Sequence, residues 1–130
     1  MSWQAYVEGP SSLVGQGKLK AAAIIDVAGD SNWACTTGFN LQPDEAKNLA
    51  NYISSGKDDL YGTGFYAGTK KFKCILMEPG VIIGKEGKEG IIIMKAEKCI
   101  FIGYHPAEVD TRDGRSAVQG VVDYLRGLGY

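Results

Sequence analysis

The spacing of apolar residues changes twice along the chain, and these changes predict its elements. Short runs of β-branched and aromatic residues between Gly, Pro, Asp and Asn predict strands at 21–27, 33–37, 65–67, 71–77, 81–85, 90–95 and 98–104. Apolar residues three and four positions apart predict helices over 43–55 and 111–128, and another that begins near Ser2 and is interrupted at Gly9-Pro10. This order indicates an α+β fold, with a central antiparallel sheet of six or seven strands and helices packed on its faces.

Size and composition narrow the class of protein. The 130 residues, 45% of them hydrophobic, are expected to form a single domain over 1–130. A net charge of -1 gives no general attraction to nucleic acid, so we expect no nucleic-acid partner. The N-terminal residues show no secretory signal pattern, and the longest aliphatic run is too short to cross a bilayer. These features favour a soluble cytoplasmic protein. The three cysteines, Cys35, Cys74 and Cys99, are expected to be buried free thiols.

Catalytic chemistry has little support in the sequence. The one histidine, His105, directly precedes Pro106 and is expected on a surface loop. Neither a Cys-x-x-Cys nor a His-Glu-x-x-His motif is present, and the acidic residues are scattered. The glycine-rich segment 84–90 lacks the spacing of a phosphate loop and predicts a hairpin turn. We therefore expect no enzyme, no metal site and no cofactor.

Aromatic residues gather at the two ends of the chain. Trp3 and Tyr6 lie one helical turn apart near the start, and Tyr124 and Tyr130 lie near the end. If the terminal helices pack side by side, these residues and Trp33 form a shallow aromatic groove. Such a groove suits a polyproline II helix, whose rings stack on aromatic faces. The alternative is that Trp3 and Tyr6 belong to an apolar stripe that packs in the core.

Basic residues form two groups. Arg112, Arg115, Gln119 and Arg126 share the face of the last helix opposite its apolar stripe. Lys70, Lys71, Lys73 and Lys85 lie in the predicted strands and turns. The alternative for both groups is an ordinary solvated surface. Gly120 lies on the outward side of the last helix, where close approach by another surface is one reason for a glycine.

The chain resembles profilin from end to end. The matching blocks are Ser2-Trp3-Gln4-x-Tyr6-Val7, Ala22-Ala23-Ile24-Ile25, Gly29-Asp30 followed by Trp33-Ala34, Gly68-Thr69-Lys70, Gly84-Lys85-x-Gly87 with Gly90-Ile91, and Asp123-Tyr124-Leu125. The resemblance implies an antiparallel sheet with the N- and C-terminal helices packed together on one face. It also implies a protein that binds monomeric actin and proline-rich proteins such as filament-elongating factors, with phosphoinositides as a further ligand.

The resemblance assigns residues to each site and implies a monomer in the cytoplasm and at the cytoskeleton. The polyproline-binding residues are Trp3, Tyr6, Trp33, Tyr124 and Tyr130. The actin-binding residues are Lys70, Lys73, Lys85, Val109, Arg112, Arg115, Ser116 and Gln119. Besides Gly9-Pro10, two departures from the family pattern stand out. Ile83 and Glu86 replace basic residues beside Lys85, and Thr111-Arg112 replaces the Pro-Gly that often precedes the last helix.

Two other functions stay open from the sequence. One is a phosphoinositide-binding regulator at the membrane surface with weak or no actin binding. The other is a small-molecule sensor, which would need an internal pocket.

Overall fold

Seven strands and two helices make up the part of the chain that a computed structural model describes, residues 19–29, 32–35, 41–55, 64–68 and 70–129. The strands are β1 (Ala21–Asp26), β2 (Asn32–Cys35), β3 (Phe65–Ala67), β4 (Lys70–Glu78), β5 (Val81–Glu86), β6 (Glu89–Lys95) and β7 (Cys99–His105). The helices are α1 (Pro43–Ser55) and α2 (Thr111–Gly127). The strands form one sheet in the order β2-β1-β7-β6-β5-β4-β3, and every neighbouring pair is antiparallel.

The predicted α+β fold with an antiparallel sheet of six or seven strands is confirmed, and the described sheet has seven. Within the described residues, strand and helix ends differ from the predicted ones by at most one residue, which is within the usual uncertainty of such boundaries. The hairpin predicted at 84–90 joins β5 to β6 and turns at Gly87, whose φ is 62°. The helix predicted near Ser2, its packing against the last helix, and positions 36–37 of the second strand lie outside the described residues.

The sheet separates two apolar cores because successive side chains of a strand point to opposite faces. On the face covered by α2, Ala22 and Ile24 pack with Val118 and Val122. On the face covered by α1, the alternate strand residues pack with the apolar stripe of that helix. This second core includes Ala23, Ile25, Ile91, Ile93, Leu49, Ala50 and Ile53. We call these the α2 face and the α1 face.

A bulge in β2 changes the direction of Trp33. Ile24 pairs with Ala34 while the next residue, Ile25, pairs with Asn32, so Trp33 is the extra residue. Trp33 and Ala34 both pack against the α2-face core, which strict alternation would not allow. The bulge therefore places the Trp33 side chain on the same face of the sheet as α2.

Two sequence predictions about buried groups need correction. His105 does not lie on a surface loop: it is the last residue of β7 and is fully buried. Cys74 and Cys99 are buried free thiols as predicted, and burial raises the pKa of the Cys99 thiol to about 11. Cys35 is only half-buried, because it lies in β2 at the edge of the sheet.

Candidate binding surfaces

Helix α2 separates two surfaces of different chemistry. Its buried side packs mainly on β6 and β7, in the middle of the sheet. Tyr124 follows Arg115 by nine residues, or about two and a half helical turns, so the two side chains leave the helix on opposite sides. The flank that carries Arg115 is directed towards β4, because Arg115 Nη2 lies 3.7 Å from Glu78 Oε2.

The basic residues predicted on α2 lie along this flank, but contacts with the sheet hold two of them. Arg115 pairs with Glu78 at the end of β4, and Arg126 Nη2 donates to the carbonyl of Lys95 at 2.6 Å. The Arg112 side chain is 91% exposed and lies 3.7 Å from Asp110 Oδ2. The flank therefore presents one exposed arginine side chain, that of Arg112, beside two arginine side chains that contact the sheet.

The first turn of α2 is capped by Asp110, close to a lysine of β5. Asp110 Oδ1 accepts a hydrogen bond from the backbone N–H of Arg112 at 3.1 Å. This bond is the main reason that the pKa of the Asp110 carboxyl is lowered, and the charge of Lys85 lowers it further. The charge of Lys85 therefore acts on the start of α2.

A basic face lies on β4 and β5, and we define it as Lys71, Lys73 and Lys85. Lys73 and Lys85 are directly opposite cross-strand partners. Lys71 and Lys73 point away from the α1-face core because Phe72 and Cys74, which alternate with them, belong to it. Like charges on opposed strand residues repel each other, so this pairing is unfavourable for the fold alone.

Lys70 lies on the opposite face of the sheet, although the sequence analysis grouped it with Lys73 and Lys85. Its Nζ lies 2.6 Å from Glu89 Oε2 and 3.1 Å from Glu86 Oε2, and it is 5.6 Å from the centre of the Tyr104 ring. Tyr104 packs against the α1-face core, and its hydroxyl donates to Glu89 Oε1. The hydrogen bond from Lys70 is the main cause that lowers the pKa of Glu89, and the same bond raises the pKa of Lys70.

The two residues of β5 that depart from the family pattern, Ile83 and Glu86, lie in different environments. Ile83 is buried in the α2-face core, so it is not part of any surface. Glu86 pairs with Lys70 on the α1 face. Neither residue therefore adds a side chain to the basic face.

The remaining predicted actin-binding residues surround the first half of α2. Val109 is half-buried and precedes the helix, and its N–H donates to the carbonyl of Pro106 at 3.2 Å. Ser116 is exposed, and Gln119 Nε2 donates to Asp123 Oδ1 at 2.7 Å. Gly120 is exposed, as predicted, and a Cβ at this position would meet no atom of the described residues within 4 Å. Packing among the described residues therefore gives no reason for a glycine here.

Two of the five predicted aromatic-groove residues are described, and both lie on the α2 side of the sheet. Trp33 is half-buried against the α2-face core, and Tyr124 is 58% exposed. Trp3, Tyr6 and Tyr130 lie outside the described residues.

Sequence reasoning missed two exposed apolar side chains in β3 and β4. Tyr66 is 54% exposed and Ile75 is 50% exposed. Lys71 Nζ lies 6.0 Å from the centre of the Tyr66 ring. Alternation in Phe65–Ala67 could have placed Tyr66 outside, but Ile75 lies at a bulge of β4, which the sequence pattern does not show.

The described residues contain no cluster of three or more His, Cys, Asp or Glu side chains placed to hold a metal ion. None of their helices has the length and hydropathy needed to cross a membrane.

A sheet with a helix on each face, and with Arg115 and the exposed ring of Tyr124 on opposite flanks of one helix, is suited to binding two partners at separate surfaces. The comparisons with known proteins identify the family. The family model described as Profilin matches residues 1–130. The profilin of Schizosaccharomyces pombe is 41% identical over 130 residues, all of each chain, and its crystal structure matches with a TM-score of 0.93, 40% identity, and coverage of 99% of this chain and 100% of that one. Mouse profilin IIa, solved in complex with a double repeat from the FH1 domain of mDia1, is 21% identical and shares the fold, with a TM-score of 0.80 and full coverage of both chains.

The chain therefore belongs to the profilin family. Profilins are non-enzymatic adaptors that bind actin and proline-rich repeats and regulate actin assembly. They act as soluble proteins of the cytoplasm.

Proposed function

We propose that this chain binds monomeric actin through the basic face and the first half of α2, and proline-rich segments through a separate aromatic groove. The observation that carries the proposal is the placement of Arg115 and Tyr124 on opposite flanks of α2. A partner on one flank leaves the other flank open. The protein can then bring an actin subunit to a proline-rich, filament-elongating factor.

The actin side of this proposal uses seven of the eight residues that the resemblance to profilins assigned: Lys73, Lys85, Val109, Arg112, Arg115, Ser116 and Gln119. Lys70 is left out because Glu86 and Glu89 hold it on the other face. Lys71 joins the set as part of the basic face. A surface with this charge favours an acidic patch on its partner, because complementary potentials raise the association rate and disfavour wrong partners.

The proline side uses Trp3, Tyr6, Trp33, Tyr124 and Tyr130. Tyr124 supplies an exposed ring on the flank of α2 away from Arg115, and the β2 bulge turns Trp33 to the same face of the sheet. Tryptophan and tyrosine rings offer flat faces for proline and polar groups that can donate to its exposed carbonyls.

Tyr124→Ala is expected to weaken binding of a ten-proline peptide about tenfold, because an exposed aromatic contact is lost while the helix stays intact. The measurement is intrinsic tryptophan fluorescence during a titration with the peptide, repeated by calorimetry. Tyr66→Ala is the matched control, since Tyr66 is a similarly exposed tyrosine on β3. Equal affinity of both variants for the peptide would contradict the proposed groove.

The alternative function, phosphoinositide binding, is supported by the cross-strand pairing of Lys73 with Lys85. Two lysines at directly opposed strand positions suit a multiply charged phosphate headgroup. The test is sedimentation with vesicles that contain phosphatidylinositol bisphosphate, with and without actin monomers. If vesicles bind tightly and actin does not, the alternative replaces the actin site; if actin binds and displaces the vesicles, the same surface serves both.

The remaining features of the proposal follow from the family and the sequence. The chain acts as one domain over residues 1–130, as a monomer, in the cytoplasm and at the cytoskeleton. It acts without catalysis, cofactor, metal or nucleic acid.

A further inference from the structure

The imidazole of His105 is a buried polar group with a hydrogen-bonding partner at each nitrogen. Nδ1 lies 2.9 Å from the carbonyl oxygen of Pro106, and Nε2 lies 3.0 Å from Thr111 Oγ1. A carbonyl oxygen can only accept a hydrogen bond, so Nδ1 is protonated and donates a hydrogen bond to the carbonyl oxygen of Pro106. In the neutral ring Nε2 then accepts from the Thr111 hydroxyl, which satisfies both nitrogens of a side chain with no exposed surface.

Two glycines make room for this ring between the sheet and α2. A Cβ on Gly90, the β6 residue paired with His105, would overlap Nε2. A Cβ on Gly114, in the first turns of α2, would lie 3.3 Å from Cδ2 of the ring. The imidazole therefore fills a fitted slot between β6 and the helix, which fixes its orientation.

The ring joins the two ends of the loop at 106–110. Pro106 begins this loop, and its carbonyl also accepts the N–H of Val109. Thr111 is the first residue of α2. Residues 107, 108 and 110 are exposed and belong to neither of the two cores formed by the described residues. The hydrogen bonds of His105, the Val109 turn and the Asp110 cap therefore determine the shape of the segment.

We propose that His105, acting through Thr111, is a positioning residue for the actin-binding surface. The inference rests on the proposed function, because Val109 and Arg112 lie on the two sides of Thr111 and belong to the proposed actin site. A fixed loop and first turn hold these two residues in one arrangement before the partner arrives. Without the hydrogen bond between His105 and Thr111, actin binding must also order the loop and the first turn of α2. This ordering lowers the affinity for actin.

The test replaces Thr111 and leaves the buried ring in place. Thr111→Val keeps the shape of the side chain and removes the hydroxyl, whereas Thr111→Ser keeps the hydroxyl. We expect Thr111→Val to weaken binding to actin monomers about fivefold, the change in an equilibrium constant that one neutral hydrogen bond produces, and Thr111→Ser to restore it. Affinity for a ten-proline peptide is expected to be equal in all three proteins, since that groove lies on the other flank of α2.

Amide hydrogen exchange of the free protein gives a readout that does not depend on actin. The amides of Val109 and Arg112 are expected to exchange faster in Thr111→Val than in Thr111→Ser, while those of β6 stay protected. The inference is overturned if Thr111→Val binds actin as the wild type does, or if it loses actin and peptide affinity equally. If the wild-type protein itself fails to bind actin, the proposed function is wrong and this inference falls with it.

Discussion

Gly29→Ala is expected to lower the free energy of unfolding by about 2–4 kcal/mol, from a left-handed backbone cost of about 1 kcal/mol and an overpacking cost of about 1–3 kcal/mol. Gly29 has φ 76°, and its loop packs against the start of α1. A Cβ there would lie 2.6 Å from the carbonyl oxygen of Ala46 and 2.7 Å from Cα of Lys47. Both are backbone atoms within α1, so neither can rotate away. The measurement is denaturant unfolding at equilibrium.

Gly87→Ala is the matched control for this substitution. Gly87 has a similar φ of 62°, but a Cβ there would meet no atom within 4 Å in the part of the chain that the structure describes. Its substitution should therefore show the backbone cost alone, about 1 kcal/mol. If the two variants lose the same stability, the contact between the β1–β2 loop and α1 does not have the tightness described above.

The elements that sequence predicted well are those determined by local periodicity. Apolar residues at helical spacing in α2, including Val118, Val121 and Leu125, are the ones that are buried. The β5–β6 hairpin is equally predictable from the sequence, because Gly87 lies at the turn between two apolar runs. In both cases the signal lies within a few residues of the element that it predicts.

The candidate sites are harder to predict from sequence. They depend on which face of a strand carries each side chain and on contacts between residues that are far apart in the chain. Lys70 and Lys73 are three apart in sequence, so strand alternation alone assigns them to opposite faces of β4. The local pattern does not show the partners 16 and 19 residues away that hold Lys70. Pro106 directly after His105 predicts a surface position, whereas the space that buries the ring is made by Gly90 and Gly114 from other elements. No local pattern predicts that slot.

The opposition of Lys73 and Lys85 leads to a prediction in which stability and binding change in opposite directions. Lys73→Glu replaces a repelling cross-strand pair with an attracting one and leaves Lys85 beside Asp110. We expect the free energy of unfolding to rise by about 0.5 kcal/mol. Affinity for actin monomers is expected to fall roughly 30-fold, or about 2 kcal/mol, because like charges would face each other across the interface. Denaturant unfolding and actin titration measure the two effects.

Lys47→Glu provides the control for the change in net charge, since Lys47 is exposed on α1, at the opposite face of the sheet. It should bind actin as the wild type does, and both variants should keep full affinity for a proline peptide. A partly unfolded variant would lose both ligands and some stability, so a more stable protein that loses actin alone can only have lost its binding surface. Equal actin affinity of Lys73→Glu and Lys47→Glu would place the actin site elsewhere on the molecule and leave the Lys73–Lys85 pair without a role in it.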